Sequence, residues 1–397
     1  MDQRTLAAQR TARNWMKADS GDFESFKTLV SQATDVEDWP NAAAVEHNVP
    51  VYEGGRVRAM AADPDSAMEL MSEWTDVFLS GPGVVVIAGA MPDTSIVDEA
   101  TEIFEAIIEE QRRTNGGGGD HFAKPGANDR VWNAAEKHCL AAPRNFAHYF
   151  GNATIALASR AWLGDGYQVT AQVNRVNPGG DAQTAHRDYH LGFMAPEQLR
   201  QYPTHVHRLS PVLTLQGAIA HCDMPIESGP TLFLPFSQAY LEGYVTCGRS
   251  EFQDWFDRHH VQLPLAKGDA VFFNPALMHA AGSNRSQDIY RMANLLQVSS
   301  AFGRAIEAVD RTRMSQVLYP VLLDARRTGS LSAQEIDSAI AASAEGYPFP
   351  TNLDTDPPVG GLAPKSQAAL MRTLLEEELS PDAFNAALNE QAARKQP

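Results

Sequence analysis

The sequence predicts an α+β fold with a mainly β core, a double-stranded β-helix of the jelly-roll or cupin-like kind, flanked by N- and C-terminal helices. Three observations point there. From Tyr167 to Val176, Val169, Ala171 and Val173 alternate with Thr170, Gln172 and Asn174, the period of two of a strand with one face inward. Short apolar runs bounded by Gly and Pro recur at residues 83–87, 231–236 and 270–274. Both ends of the chain carry helical spacing instead. The organisation expected is a helical extension over 1–75, the β core over 76–300, and a C-terminal helical extension over 301–397 packed on that core.

In chain order, residues 1–35 place Leu6, Trp15, Met16, Phe23, Phe26 and Leu29 at helical spacing. Residues 51–60 read as a short hairpin turning at Gly54-Gly55. Residues 65–79 read as a helix. Gly83-Val84-Val85-Val86-Ile87 reads as a buried strand. Residues 94–113 read as a helix capped by Asp93. Four glycines, Gly116 to Gly119, then break the pattern, because a glycine run inside an element loses too much backbone entropy. That stretch reads either as a surface connection or as a lid over a site that must exclude water. Residues 142–162 read as one helix packed on the sheet. Asn177-Pro178-Gly179-Gly180 ends the alternating strand in a turn. Ser228-Gly229-Pro230 turns tightly into an apolar strand. Lys267-Gly268-Asp269 does the same, leading through a short buried strand to His279 at its exit. Beyond residue 303 the chain is mostly helical. Residues 331–342 and 368–379 are the clearest helices there, separated by a proline-rich loop at 347–364.

The chemistry concentrates in His186-Arg187-Asp188, His279 and Arg291. Two side chains two residues apart on an extended segment point to one face. A distant histidine can join them. Two imidazoles and one carboxylate then occupy one face of an octahedron and leave the other positions open, the donor set of non-haem Fe(II) oxygenases. Arg285 and Arg291 compete as the arginine that follows. Arg285 falls in the turn after Gly282-Ser283-Asn284, whereas Arg291 falls inside the next strand and is preferred.

Most of the twelve histidines need no such role. His47, His138, His148, His259 and His260 lie in helix-like or loop stretches. His205-Val206-His207 has the form of the first half of a cupin metal motif, but Arg208-Leu209-Ser210-Pro211 supplies no glutamate after it. His221, beside Cys222, reads as structural.

Three segments, in this order, resemble the phytanoyl-CoA dioxygenase family of Fe(II)/2-oxoglutarate enzymes: His186-x-Asp188, the Gly229-Pro230 turn and strand, and Gly268-Asp269 through His279 to Arg291. The resemblance covers residues 76–300. One departure is Pro235-Phe236-Ser237-Gln238, where the family often has Pro-Gly-Ser-His. The resemblance implies a dioxygenase with Fe(II) on His186, Asp188 and His279, and with 2-oxoglutarate and O2 as co-substrates. It implies that Arg291 takes the far carboxylate of 2-oxoglutarate. Gln172 and Asn174 share a strand face and, if that face looks inward, can bond the co-substrate or the substrate; an exposed face is the other reading. Tyr189, His190 and Phe193 follow the motif closely and are candidates for the substrate pocket wall. Asp188 speaks against halogenation, since related halogenases replace this carboxylate by a small residue.

The reaction expected is hydroxylation of an aliphatic C–H in a small-molecule metabolite such as an amino acid or a natural-product intermediate, with release of succinate and CO2. Desaturation, cyclisation or epimerisation by the same triad, hydroxylation of an acyl-CoA, and a non-catalytic barrel are the alternatives.

Composition narrows the partners. A 44% hydrophobic chain of 397 residues can bury a sizeable core. Asp plus Glu outnumber Lys plus Arg by 49 to 32, and the net charge of -17 repels nucleic-acid phosphates. The same field disfavours a long polyanion such as a CoA thioester. Cys139, Cys222 and Cys247 have no CxxC spacing and suggest reduced thiols in the cytoplasm. No run approaches the roughly 20 apolar residues that span a bilayer, and the N-terminus shows no signal-peptide pattern. Nothing in the sequence indicates an oligomeric state.

Overall fold

A computed structural model describes residues 3–17, 19–115, 126–349 and 352–396. Among these residues it contains eleven strands: β1 (Ala44–Glu46), β2 (Val49–Glu53), β3 (Val84–Ala88), β4 (Asn128–Val131), β5 (Gln168–Val176), β6 (Thr214–Ala220), β7 (Thr231–Phe233), β8 (Val261–Gln262), β9 (Ala270–Phe273), β10 (His279–Ala281) and β11 (Arg291–Ser299). Eight form a large mixed sheet in the order β1-β2-β3-β9-β6-β11-β5-β4. The β2–β3 pair is parallel and the others are antiparallel. A smaller sheet has the order β10-β7-β8. The fold is α+β, with helices before the sheet, on one of its faces and at the C-terminus.

The alternation read in residues 168–176 decides which side chain goes where. Val169, Ala171 and Val173 of β5 join Leu215, Ile219, Phe272, Leu296 and Val298 in the largest apolar cluster, between the sheet and the helices. The C-terminal helices contribute Leu318, Leu322, Met371 and Phe384 to the same cluster. The opposite face carries Gln172 and Asn174. Their register partners Leu295 and Ala293 belong to a second cluster, with Val84, Val271, Phe273 and Phe233, between the large and small sheets. A one-residue slip of β5 would exchange the two sets.

The helix Pro64–Leu79 shows how locally this is written. Asp63 accepts the Ser66 N–H at 2.9 Å, Pro64 opens the first turn, and Leu70, Met71, Trp74, Val77 and Phe78 recur at spacings of one, three and four along the buried face. Side chains as fully buried as Trp74 and Phe78 are worth about 1.5–3 kcal/mol each.

Two sequence expectations are corrected. Residues 51–60 are not a hairpin: β2 ends at Glu53, and Gly54 starts the helix Gly54–Ala61. The hairpin lies earlier, between β1 and β2, where His47 and Asn48 take positive φ. Residues 142–162 are not one helix. Pro143 begins the helix Pro143–Phe150, and Asn152 caps a new one, Ala153–Leu163, by accepting the Thr154 N–H at 2.8 Å. The Gly116 to Gly119 stretch lies outside the described residues.

The Gly268-Asp269 turn explains its own sequence. Gly268 has φ +90, a value that disfavours other residues. Asp269 then accepts the Gly89 N–H at 2.7 Å and the Ala266 N–H at 2.8 Å. This fastens the entry of β9 to the end of β3 and delivers the chain toward β10.

Candidate metal centre

His279 opens β10, opposite Phe233 of β7. His186 lies outside any named strand but forms an antiparallel bridge with His279. Asp188 follows, its N–H on the Pro275 carbonyl at 2.9 Å and its own carbonyl receiving the Tyr244 hydroxyl at 2.9 Å. Arg187, between the two, turns away. Its guanidinium is buried and donates to the Tyr240 carbonyl at 3.2 Å and to the Ser237 carbonyl.

The three candidate ligands converge. Oδ2 of Asp188 is 3.8 Å from Nε2 of His186 and 3.6 Å from Nε2 of His279. One donor atom from each residue lies within 4.8 Å of the others, and among the described residues this is the group able to hold a metal ion. Nδ1 of His186 is 2.9 Å from the Thr184 carbonyl, and Nδ1 of His279 is 2.8 Å from the Leu277 carbonyl. A carbonyl only accepts, so Nδ1 carries a proton in both rings and Nε2 is the ring atom left to face Asp188 or a metal. The 3.6 and 3.8 Å separations are below twice a metal–ligand distance of about 2.0–2.2 Å, so an ion on Asp188 can also reach either imidazole. The donor set fits a divalent metal.

Electrostatics agree with this. Burial pushes the Asp188 carboxyl up, but the imidazole of His279, with His186 and Gln216, outweighs it and holds Asp188 below the usual carboxylate range. Burial, then the neighbouring His279, pushes His186 below the ordinary histidine value, against the pull of Asp188. Both effects favour the metal-binding protonation states.

Arg291 begins β11, paired with Val176, and is 7% exposed. With Asn174, Thr231, Ala293 and Leu295 it lines a cavity of about 40 Å³ between the sheets. Burial pushes its guanidinium down to about 10, so it stays a cation at neutral pH. Among the described residues no acidic side chain pairs with it. Arg285 is instead exposed in the turn before β11. Gln172 and Asn174 both sit on the inner face. Asn174 shares the Arg291 cavity, whereas Oε1 of Gln172 accepts from Nη1 of Arg130 at 2.9 Å. Tyr189 is buried beside Asp188. Phe193 packs its ring edge to face with Tyr189 at 5.6 Å but is 62% exposed. His190 is half-buried with φ +46.

The other histidines stand apart from this group. His221 lies 2.8 Å from Thr101 Oγ1 and 2.9 Å from Tyr149 Oη on the helix-facing side of the sheet. His205 and His207 sit on the short helix Thr204–Leu209. A cleft of about 750 Å³, lined by Arg304, Asp310, Arg311 and Lys395 among others, runs beside the C-terminal helix and contains none of the triad.

Residues 79–293, more than half of the chain, match the sequence profile of the phytanoyl-CoA dioxygenase (PhyH) family. The chain belongs to this family. It is an Fe(II)/2-oxoglutarate-dependent enzyme of the dioxygenase type. Among solved structures, the α-ketoglutarate-dependent epimerase SnoN from nogalamycin biosynthesis is similar at 18% identity and a TM-score of 0.41, over 60% of this chain and 82% of its own. The carbocyclase SnoK from nogalamycin biosynthesis is similar at 19% identity and 0.42, over 63% and 92%. EvdMO1 is similar at 16% identity and 0.40, over 58% and 50%. No curated protein matches the sequence.

Several residues that contact the candidate site belong to none of the motifs read in the sequence. Gln216 of β6 donates from Nε2 to Asp188 Oδ2 at 2.8 Å. Arg130 of β4 reaches Gln172 and stacks over Trp132 at 4.9 Å. Tyr244 holds the Asp188 carbonyl. None lies within a motif. Only the strand alternation around Gln216, whose neighbours Leu215 and Gly217 face the helices, carried a signal for it.

Proposed function

We propose that this enzyme holds Fe(II) through Nε2 of His186, Nε2 of His279 and the Asp188 carboxylate, and that Arg291 anchors the distal carboxylate of 2-oxoglutarate. The reaction we propose is hydroxylation of an aliphatic C–H in a small polar or amphipathic metabolite. The observation that carries this reading is the convergence of the two histidine Nε2 atoms on Asp188 Oδ2, with both Nδ1 atoms tied to backbone carbonyls.

Bound Fe(II), with O2 and 2-oxoglutarate, supplies a two-electron oxidation that leaves succinate, CO2 and the hydroxylated product. The chain's own residues do the rest. The backbone carbonyls of Thr184 and Leu277 lock the two ligand rings. Arg291, buried and without an acidic partner among the described residues, offers a fork of donors that suits a carboxylate. Asn174 lies beside it as a second hydrogen-bonding group. Tyr189 and Gln172 stand on the polar inner wall as groups that bind and orient substrate, and His190 and Phe193 flank the entrance.

Around this site we read the two sheets as the major and minor halves of a double-stranded β-helix. Support comes from the apolar cluster shared by Phe273 and Val271 with Phe233 and Leu263, which closes one sheet over the other. We keep the division into an N-terminal extension, a 76–300 catalytic core and a C-terminal helical extension, with residues 44–53 adding two strands to the sheet edge. Three free cysteines suit a reducing, cytoplasmic setting. Among the described residues no helix is long and apolar enough to cross a membrane.

The net charge of -17 and the polar inner wall favour a compact hydrogen-bonding substrate over a CoA thioester. Substrate-triggered, iron-dependent succinate release tests this, run with free amino acids and matched pairs of free acids and their CoA thioesters. Preference for thioesters would overturn the substrate reading. Product analysis would separate hydroxylation from desaturation, cyclisation or epimerisation.

A further inference from the structure

We infer that Gln216 is a positioning residue for the Asp188 carboxylate and thereby sets how the triad holds its metal. This rests on the reading of His186, Asp188 and His279 as ligands. Gln216 stands on the inner face of β6, in register with Phe273 of β9 and Gln297 of β11, and is 7% exposed. Its Nε2 is 2.8 Å from Asp188 Oδ2 and 3.3 Å from Tyr189 Oη. The same Oδ2 is the oxygen nearest both imidazoles. A carboxylate oxygen has two lone pairs. One takes the Gln216 N–H, and the other stays available on the side of the histidines.

The amide has one workable orientation. Turned over, its carbonyl oxygen would face a carboxylate that can only accept. In the orientation it keeps, Oε1 is buried with no hydrogen-bond partner among the described residues. A side chain present only to fill this space would be better as Met or Leu, which fills similar volume without an orphan acceptor. What the amide adds is the donor on Asp188. The other contacts to Asp188, from Pro275 and Tyr244, hold its main chain. Among the described residues, and apart from the two candidate ligand imidazoles, Gln216 is the side chain that donates to the carboxylate itself. It restrains the carboxylate from rotating away from the histidines, and it holds one oxygen toward them so that the remaining metal positions stay open.

The test uses the full-length chain without oxygen. Gln216→Met keeps the volume and loses the donor; Gln216→Asn keeps the amide and loses the reach. Fe(II) affinity is read by calorimetry, the Fe(II)–2-oxoglutarate chelate by its visible charge-transfer absorption, and folding by the thermal unfolding midpoint of the metal-free protein. Loss of such a hydrogen bond to a ligand typically weakens metal binding about 10–100-fold. The expected result is a loss in that range, or a displaced absorption band, in a variant whose unfolding midpoint is retained. If Gln216→Met does not fold, Gln216→Asn decides. Wild-type affinity and an unshifted band in the variants would overturn the inference while leaving the ligand assignment intact. Weakening that only tracks lost folding would overturn it too. A wild-type chain that binds no Fe(II) would bring down the ligand assignment, and this inference with it.

Discussion

His186 and His279 exchange both of their backbone hydrogen bonds, N–H to carbonyl at 3.0 Å one way and 3.1 Å the other, with ring centroids 4.5 Å apart. Two residues far apart in sequence are thus fixed opposite each other by main chain alone. The partly exposed His186 ring is left free of a structural role, whereas the buried His279 ring also packs edge to face on Phe273. His186→Ala is expected to cost less than about 1 kcal/mol of stability, since its ring is partly exposed, while abolishing tight Fe(II) binding. Denaturant unfolding and metal titration on the same sample check both halves.

Arg291→Ala is expected to raise the 2-oxoglutarate requirement about tenfold or more, because a charged hydrogen bond is worth about 1.5–3 kcal/mol. Arg285→Ala, in the exposed turn, is expected to change it little. The apparent KM for 2-oxoglutarate, measured through succinate formation, separates them. The reverse pattern would move the anchor to Arg285.

How much of this was legible in the sequence follows from what kind of force decides each feature. The alternation in β5 was legible, because one face must be apolar and register cannot slip without exposing it. The triad was legible because its spacing is local at His186 and Asp188, and because Gly268-Asp269 announces the turn into the strand before His279. The break at Pro143 and Gly151 was written in the residues but was outweighed by the apolar period around it. Gln216 and Arg130 were not legible. Each is a single polar residue in a strand, and its meaning comes from partners that only tertiary structure supplies. The β1–β2 hairpin was missed because His47 and Asn48 carry its positive φ without a glycine.

Two buried histidines predict an acid-sensitive core. Burial pushes His221 down to about 3 and His138 down to about 4, from an ordinary 6.5. The folded chain therefore declines protons that the unfolded chain accepts as pH falls below 6.5. Their stabilising contribution is full above pH 6.5 and is lost progressively as pH falls from there toward 3–4. His221→Gln can still bond Thr101 and Tyr149 but does not titrate. In metal-free protein its unfolding midpoint should fall less steeply than wild type between pH 6.5 and 4. Parallel slopes would contradict the assignment.

Gly243 lies directly against the Arg187 guanidinium, and a Cβ there would overlap it. Gly243→Ala must displace a buried cation whose backbone sits between two candidate ligands. The expected cost is about 1–3 kcal/mol by chemical denaturation, together with weaker metal binding. A variant as stable as wild type would show that Arg187 relocates freely and does not brace the triad.

On the proposed reading, His186, Asp188 and His279 make an Fe(II) site that accepts 2-oxoglutarate. Its most direct measurement is anaerobic titration of the metal-free chain with Fe(II) and 2-oxoglutarate, following the charge-transfer absorption of the chelate, in wild type and in His279→Ala. Wild type should saturate at one Fe(II) per chain with the absorption band present, and the variant should lose both. An unchanged band in His279→Ala, or no band in wild type, would contradict it.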